Sequence, residues 1–497
     1  MELQFEPKVE KYLRQSLFQT QNLEETQELK LPPELPDVGS VVASWGQCIL
    51  RSKQWQGTMV TTGGGVMVWI LYKSAEDDTL QIVDAWVPFQ SRWNLPDSQQ
   101  EGIVRVNCLL RGVEARMVSA RRMMLRVGVG ITAEALERAE MVTYTPSGLP
   151  EDVQLLKNTY PLQLPKEAGE RSFMLEEELP LPVPGEESFK ILHCSVVPVV
   201  QEQKTTGSRM AFRGCVMARI LYDTNGAIQS WDAEMPFSQI SELDHEYEQD
   251  CRISIIPAIT SAETDLADGK LLLRCGLTGQ YVIYGRIMAE VIEDAYSPKR
   301  TVELTKEDLN APIYLDNIQR EIHMEGAMGT DGTVLNMVFY PDAPQTMQDE
   351  NSIAYHFGGT FQSLEQDGAE EMASGTGKGE SVWEFPQGMD TANQIWMYPS
   401  GIPSHGISSE GNTGKCRMTV ELTSGLQHAL EIVKGITLGE EKRREGNRPS
   451  LILCRPKEEE TLWQLAKRCG STVEVITKAN QMDPDNLHDD ILLIPLM

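Results

Sequence analysis

The segment VMVWILYKSAEDDTLQIVDAWVPF, residues 66–89, decides the fold. Its two ends, VMVWILYK and LQIVDAWVPF, combine β-branched and aromatic residues in approximate alternation, and acidic residues bound them, so both read as strands. The same writing returns further along. Ile70-Leu71-Tyr72 recurs as Ile220-Leu221-Tyr222, DAWVPF at Asp84–Phe89 recurs as DAEMPF at Asp232–Phe237, and Arg126-Val127-Gly128 is answered by Arg274-Cys275-Gly276. The offsets are 150, 148 and 148 residues. Three matches in one order at one spacing predict a duplicated unit of about 150 residues, the size of one domain.

A third, degenerate copy follows. RTVELTKEDLNAPIYLDN, from Arg300, repeats the layout of RSFMLEEELPLPVPGEES, from Arg171: an alternating strand before an acidic loop containing proline. SIAYHFGGTFQSLEQDG then stands where MAFRGCVMARILYDTNG stood. The expected organisation is a first β repeat over 1–150, a second over 151–299, a degenerate third over 300–438, a charged linker over 439–449 and a small domain over 450–497. Each repeat is expected to be a predominantly antiparallel, sandwich- or barrel-like module, so the fold class is mainly β. A helix is expected at most at the edges, for instance from KVEKYLRQSLFQTQNLEETQELKLP, which begins at Lys8. The stretches SGTGKGES and PSGIPSHGISSEGNTG read as loops. GEEKRREGNRPS, Gly439 to Ser450, has almost no apolar residue and cannot bury a core face, hence the linker.

The chain of 497 residues has room for three or four domains, at roughly 100–200 residues each. Its 44 Lys+Arg against 73 Asp+Glu give a formal charge of −29, which repels phosphate backbones and excludes nucleic acid as an expected partner. The nine cysteines are scattered singly with no C-x-x-C pair, a pattern of reduced thiols used as small hydrophobes. The Met1 end lacks the apolar core of a secretory signal, and the longest apolar run, VMVWILY, is too short to span a bilayer. A cytoplasmic location is expected.

Motifs for chemistry are sparse. GTGKGES, Gly375 to Ser381, has Met372 where a phosphate loop needs glycine and Gly379 where it needs a hydroxyl, so it does not read as a nucleotide site. TTGGGVMV, Thr61 to Val68, leads into a strand and reads as a hairpin turn or bulge. The seven histidines show no H-E-x-x-H and no zinc-like spacing with cysteine; His193 and Cys194, adjacent on a strand, point to opposite faces and cannot share a metal. Asp84 and Asp232 of the repeated hexapeptide read as structural acids. No G-x-S-x-G is present. The expectation is a protein that is not an enzyme and uses no cofactor and no metal.

Beyond the linker the periodicity changes. LILCRP reads as a short strand, and Thr461 precedes LWQLAK with Gln464 three residues later, the arrangement of a capping box. Leu462, Leu465, Ala466 and Cys469 share one helical face, and Gly470 suits a left-handed stop. Ser471 and Glu474 predict a second capping box for VEVITKAN, with Val473 and Ile476 inward, and ILLIP closes the chain as a strand. This β-α-α-β order, with T-L-W-x-x-A-K at the first helix, S-T-V-E-x-I at the second and L-L-I-P at the close, resembles the LysM family over Leu451 to Leu496. The resemblance implies a unit that binds N-acetylglucosamine-containing glycans such as peptidoglycan, in a groove lined by Glu460, Thr461, Leu462, Pro484, Asp485, Leu487 and Ile491. The family's usual Gly-Asp before Thr-Leu is here Glu459-Glu460, and its Pro-Gly before the exit strand is Asp489-Asp490. Loss of both glycines removes the close backbone approach that a sugar uses. The expectation is therefore a module that docks a protein partner, with peptidoglycan binding as the alternative.

Tandem β repeats carrying ILY, D-A-x-x-P-F and R-x-G, followed by a linker and a LysM-like end, resemble the SPOCS-repeat family of spore-forming Firmicutes. That resemblance implies a non-enzymatic scaffold for spore coat assembly, with a coat morphogenetic ATPase as partner and a place on the mother-cell side of the forespore surface.

Overall fold

The computed structural model describes residues 2–95, 102–182, 189–249, 251–267, 269–309, 314–329, 332–348, 352–367, 371–386, 392–408, 411–425, 430–442, 450–458, 460–483 and 491–496. The first repeat holds β1 (Glu2–Lys30), β2 (Val38–Gln56), β3 (Met59–Ser74), β4 (Leu80–Asn94), β5 (Ile103–Ser119) and β6 (Arg122–Ser147). Strands β2, β3 and β4 form one antiparallel meander, while β6 lies between β1 and β5 in a second sheet. The core fills the space between them. Along β6, Met123, Leu125, Val127, Val129, Ile131 and Ala133 are all fully buried, the period of two that a strand with one core face requires.

The second repeat holds β7 (Gln154–Pro180), β8 (Lys190–Thr224), β9 (Ala227–Tyr247), β10 (Arg252–Ala267) and β11 (Lys270–Tyr296). Here β11 lies between β7 and β10, as β6 lies between β1 and β5. Its core residues Leu271, Leu273, Cys275 and Leu277 are the counterparts of Met123, Leu125, Val127 and Val129 at the repeat spacing. The long β8 doubles back at Gly207, whose φ of +59° matches the +57° of Gly57 in the β2–β3 turn.

The region expected as a degenerate third repeat, called the third repeat below, runs through β12 (Arg300–Asp308), β13 (Tyr314–Ala327), β14 (Thr333–Pro341), β15 (Gln345–Gln348), β16 (Ser352–Asp367), β17 (Glu371–Pro386), β18 (Ala392–Pro399), β19 (Ser404–Ser408), β20 (Gly411–Gly425) and β21 (Glu431–Glu441). Strand β20 lies between β13 and β18, and β14, β16 and β17 pair in turn. The last segment comprises β22 (Leu451–Cys454), α1 (Leu462–Cys469), α2 (Val473–Asn480) and β23 (Leu492–Pro495). The protein is thus mainly β, with two short helices near its end. Among the described residues no helix is long and apolar enough to cross a membrane.

The repeated motifs have structural reasons. Ile70 and Tyr72 enter the first core and Ile220 enters the second, whereas Leu71 and Leu221 face outward into a shared cluster with Trp45, Leu192, Leu335 and Leu364. The triplet therefore serves both faces of its strand, core and junction. The hexapeptide phenylalanines lie over glycines of the neighbouring strand: a Cβ on Gly64 would meet Phe89 Cζ at 2.9 Å, and one on Gly214 would meet Phe237 Cζ at 3.0 Å. Each such Cβ would also overlap a carbonyl oxygen, of Ile49 and Val199 respectively. Gly214→Ala is expected to lower stability by about 1–3 kcal/mol in urea unfolding, whereas Gly112→Ala, which meets nothing within 4 Å, should change it little. Asp84 and Asp232 are exposed mid-strand residues, and Asp232 forms a two-point ion pair with Arg219 (2.7 and 2.8 Å).

The repeats do not stand apart as beads. Strand β21 of the third repeat pairs with β1 of the first, and Tyr12, Met141, Leu162, Val291, Leu309 and Ile432, drawn from all three, form one cluster. A buried polar network also crosses the junction. Arg105, fully buried on β5, donates to Glu134 Oε2 (2.6 Å) and to Ser254 Oγ (2.9 Å) of the second repeat. Ser254 Oγ donates to Glu421 Oε2 (2.7 Å) of the third, and Tyr398 OH donates to Glu421 Oε1 (2.9 Å). The next two residues of β5 extend the pattern: Val106 exchanges backbone hydrogen bonds with the Gln280 amide (2.8 and 2.7 Å), and Asn107 Nδ2 donates to Met397 O (2.7 Å).

Four local expectations are corrected. The segment from Lys8 is not a helix but part of β1, because β1 pairs with β6 from Gln4 to Lys30, and that ladder overrides local helix propensity. SGTGKGES is not a loop: it lies in β17, paired with β16, and its glycines make room for neighbours, since a Cβ on Gly379 would overlap the Phe361 ring. PSGIPSHGISSEGNTG is partly β, contributing β19 and the start of β20. The linker boundary at Gly439 falls inside β21, which runs to Glu441, and Lys442 N donates to Lys299 O (2.8 Å). The GGG of TTGGGVMV lies within β3, and the register shift sits opposite it, between Leu50 and Ser52 of β2.

Candidate binding module

The C-terminal segment is a closed β-α-α-β unit with its own core of Leu462, Leu465, Ala466, Ile476, Leu492 and Ile494. Strands β22 and β23 pair antiparallel from Leu451–Pro495 to Cys454–Leu492. Helix α1 starts as its sequence directs: Thr461 Oγ1 accepts from Gln464 N (3.2 Å) and Gln464 Oε1 accepts from Thr461 N (3.0 Å). It stops at Gly470, left-handed with φ 69°. Helix α2 differs from expectation. Its N-cap is Thr472, whose side chain accepts from Val475 N (3.3 Å), while Ser471 turns its hydroxyl to the Pro495 carbonyl. Ser471 is thereby used to tie α2 to β23. Asn480, at the end of α2, completes that tie by donating to Leu493 O (2.7 Å) and accepting from Leu493 N (2.8 Å).

The expected groove residues fall into different environments. Leu462 is 5% exposed and belongs to the module core. Thr461 is exposed at the helix start, and Ile491 is 66% exposed just before β23. Glu460 is turned inward on its own segment. It forms a two-point ion pair with Arg468 (both 2.7 Å) and accepts from Lys457 N (3.0 Å); the Arg468 bonds come first among the causes that hold its carboxyl down at about 2. Pro484, Asp485, Leu487, Glu459 and the Asp489-Asp490 pair lie outside the described residues.

Sequence reasoning missed the residues that fasten the module to the body. Asp294, near the end of β11, accepts from Trp463 Nε1 (2.8 Å) and from Lys467 Nζ (2.7 and 2.8 Å). Burial pushes the Asp294 carboxyl up, but the Lys467 and Trp463 bonds outweigh it and hold the group below its ordinary value. Tyr296, 4% exposed, packs edge-on against Trp463 (centroids 4.8 Å apart) and donates to Ser471 O (3.0 Å). One face of α1 is therefore spent on the second repeat. Nothing in the local pattern pairs Asp294 with a helix some 170 residues later; only the amphipathic exposure of Trp463 signals a partner.

By fold and size this end of the protein is a small β-α-α-β module carried on a mainly-β body. A family model described as LysM domain matches residues 457–490, so the chain contains a LysM domain at its C-terminal end. No curated protein and no solved structure matches the chain.

Proposed function

We propose that the protein is a non-enzymatic binding scaffold, in which the interlocked β repeats hold the LysM domain in a fixed pose and that domain takes an N-acetylglucosamine-containing glycan of the peptidoglycan class. The observation that carries this reading is the LysM match over 457–490, which spans the expected groove residues from Glu460 to Leu487 and ends one residue before Ile491. Glu460 supports it: with its carboxylate engaged by Arg468 and the Lys457 amide, it presents no free anion beside Thr461. Exposed Ile491 supplies an apolar contact for a sugar face.

A second reading, docking of a protein partner in an assembly such as the spore coat, is favoured by a separate observation. Leu451 and Leu453 are 43% and 70% exposed on β22, an apolar strip suited to protein, and Asp489-Asp490 replace the family's Pro-Gly. On this reading, the SPOCS resemblance would make a coat morphogenetic ATPase the partner, on the mother-cell side of the forespore surface.

Sedimentation of the full chain with purified peptidoglycan separates the two. Glycan binding predicts saturable co-sedimentation, weakened at least about tenfold by Ile491→Asp, which places a charge in the contact, and kept by Leu453→Asp. No co-sedimentation of the folded wild-type chain would overturn the glycan reading.

A further inference from the structure

Cys454 ends β22 and Cys469 ends α1, and both are partly buried. Their sulfurs lie 4.0 Å apart, although 15 residues separate them in sequence. A disulfide needs about 2.05 Å between sulfurs, so the two thiols must approach each other by about 2 Å to join. We propose that Cys454 and Cys469 are a reversible disulfide site, a clasp that locks the LysM domain under oxidising conditions and opens under reducing ones.

Three features make this pair suited to exchange. First, both residues are only partly buried, as are Cys48, Cys108 and Cys251, whereas Cys194, Cys215, Cys275 and Cys416 are buried. Second, Arg468 directly precedes Cys469 in α1, so a positive charge is carried next to the pair in the chain. Third, the two sulfurs already face each other, with Cys469 Sγ directed at Cys454 Sγ. One of the two cysteines, as thiolate after losing its proton to water, attacks a sulfur of a low-molecular-weight disulfide such as oxidised glutathione and expels one thiolate. The other then loses its proton, attacks the protein sulfur of the mixed disulfide and expels the second. Two protein thiols are oxidised and one small disulfide is reduced to two thiols.

The ring so closed contains Glu460, Thr461 and the whole of α1, the segment that supplies one flank of the groove. The Cys454–Leu492 register sets the crosslink next to Ile491. The clasp therefore ties the end of α1 to β22, the partner of the strand that follows Ile491, and it does not depend on which ligand the domain takes.

The test uses the full chain equilibrated in oxidised or reduced glutathione, trapped by alkylation and mapped by peptide mass. Oxidised glutathione should join the peptides carrying Cys454 and Cys469, two hydrogens lighter than the free pair, and Cys454→Ser or Cys469→Ser should each abolish the link. Proteolytic opening of 450–480 should slow by roughly a hundredfold in the oxidised form, the effect of closing a loop of this length. Persistent glutathione adducts on single cysteines, full alkylation of both in excess oxidant, or a link between chains would each overturn the proposal. A failed peptidoglycan assay would leave it standing.

Discussion

Replacing Arg105 by alanine is expected to destabilise the protein by about 3–5 kcal/mol, because it leaves buried carboxylates without their cation. Arg105 is fully buried, and Glu134 and Glu421 are each 2% exposed. Burial alone would lower the Arg105 pKa; Glu134 first, with Tyr284 and Glu421, reverses this and holds it above the ordinary guanidinium value. Its guanidinium also lies over the Trp396 ring, 5.2 Å from the centroid. Every contact beyond Glu134 belongs to another repeat, so the loss should loosen the junction as well as one core. Urea unfolding followed by tryptophan fluorescence would show a lower midpoint in Arg105→Ala. Arg105→Lys should recover only part of the loss, since an ammonium cannot reproduce the planar fork. An unchanged midpoint in both variants would show that the network contributes nothing to stability.

Acid should weaken the contact between the first two repeats, through His193. This residue is 1% exposed, stacked on Trp45 (5.1 Å) and edge-on to Trp69 (4.7 Å), both in the first repeat. Neither ring nitrogen has a hydrogen-bond partner. Burial, and then the Arg219 charge, lower its pKa from 6.5 to about 3. Asp84, Glu263 and Asp265 line the cavity beside it, but all three are exposed and do not offset the cost of burying an imidazolium. The unfolded chain takes up this proton near pH 6.5 and the folded protein only near 3, so the unfolded state binds more protons between those values. The stabilisation is fully present above pH 6.5 and is lost as pH falls towards 3. At about 1.4 kcal/mol per pH unit, the loss reaches roughly 3 kcal/mol by about pH 4.5. Carboxylates titrate in the same range, so the reading is the difference between wild type and His193→Leu. The variant should lose roughly 3 kcal/mol less between pH 7 and about 4.5. Parallel pH profiles would sink the prediction.

Both predictions rest on residues that the linear pattern does not single out. Arg105 sits in GIVRVNCLL, where alternation marks a strand but gives no sign that its one cation is enclosed. His193 could be placed on the face opposite Cys194, and the structure agrees: Cys194 enters the second core while His193 meets the tryptophans. What it meets there was not legible, since Trp45 and Trp69 precede it by more than a hundred residues. The errors share this cause. Lys8 onward has helix-forming residues and Ser374 onward has loop-forming ones, yet a partner strand was available for each and the ladder hydrogen bonds decided the outcome.

The sequence by itself determined the elements whose signals are local or repeated. Period-two burial gave the strands, the 148–150-residue spacing gave the duplication, and the Thr461–Gln464 box with Gly470 gave α1, because each depends on neighbours within a few residues or on a second copy of the same text. Tertiary structure alone decided how the pieces meet: Arg105 with Ser254, β1 with β21, Asp294 with Lys467, and Tyr296 with Trp463. Those pairings join residues far apart in the chain, and their energy comes from removing water from both partners at once. No property of either partner alone records that exchange.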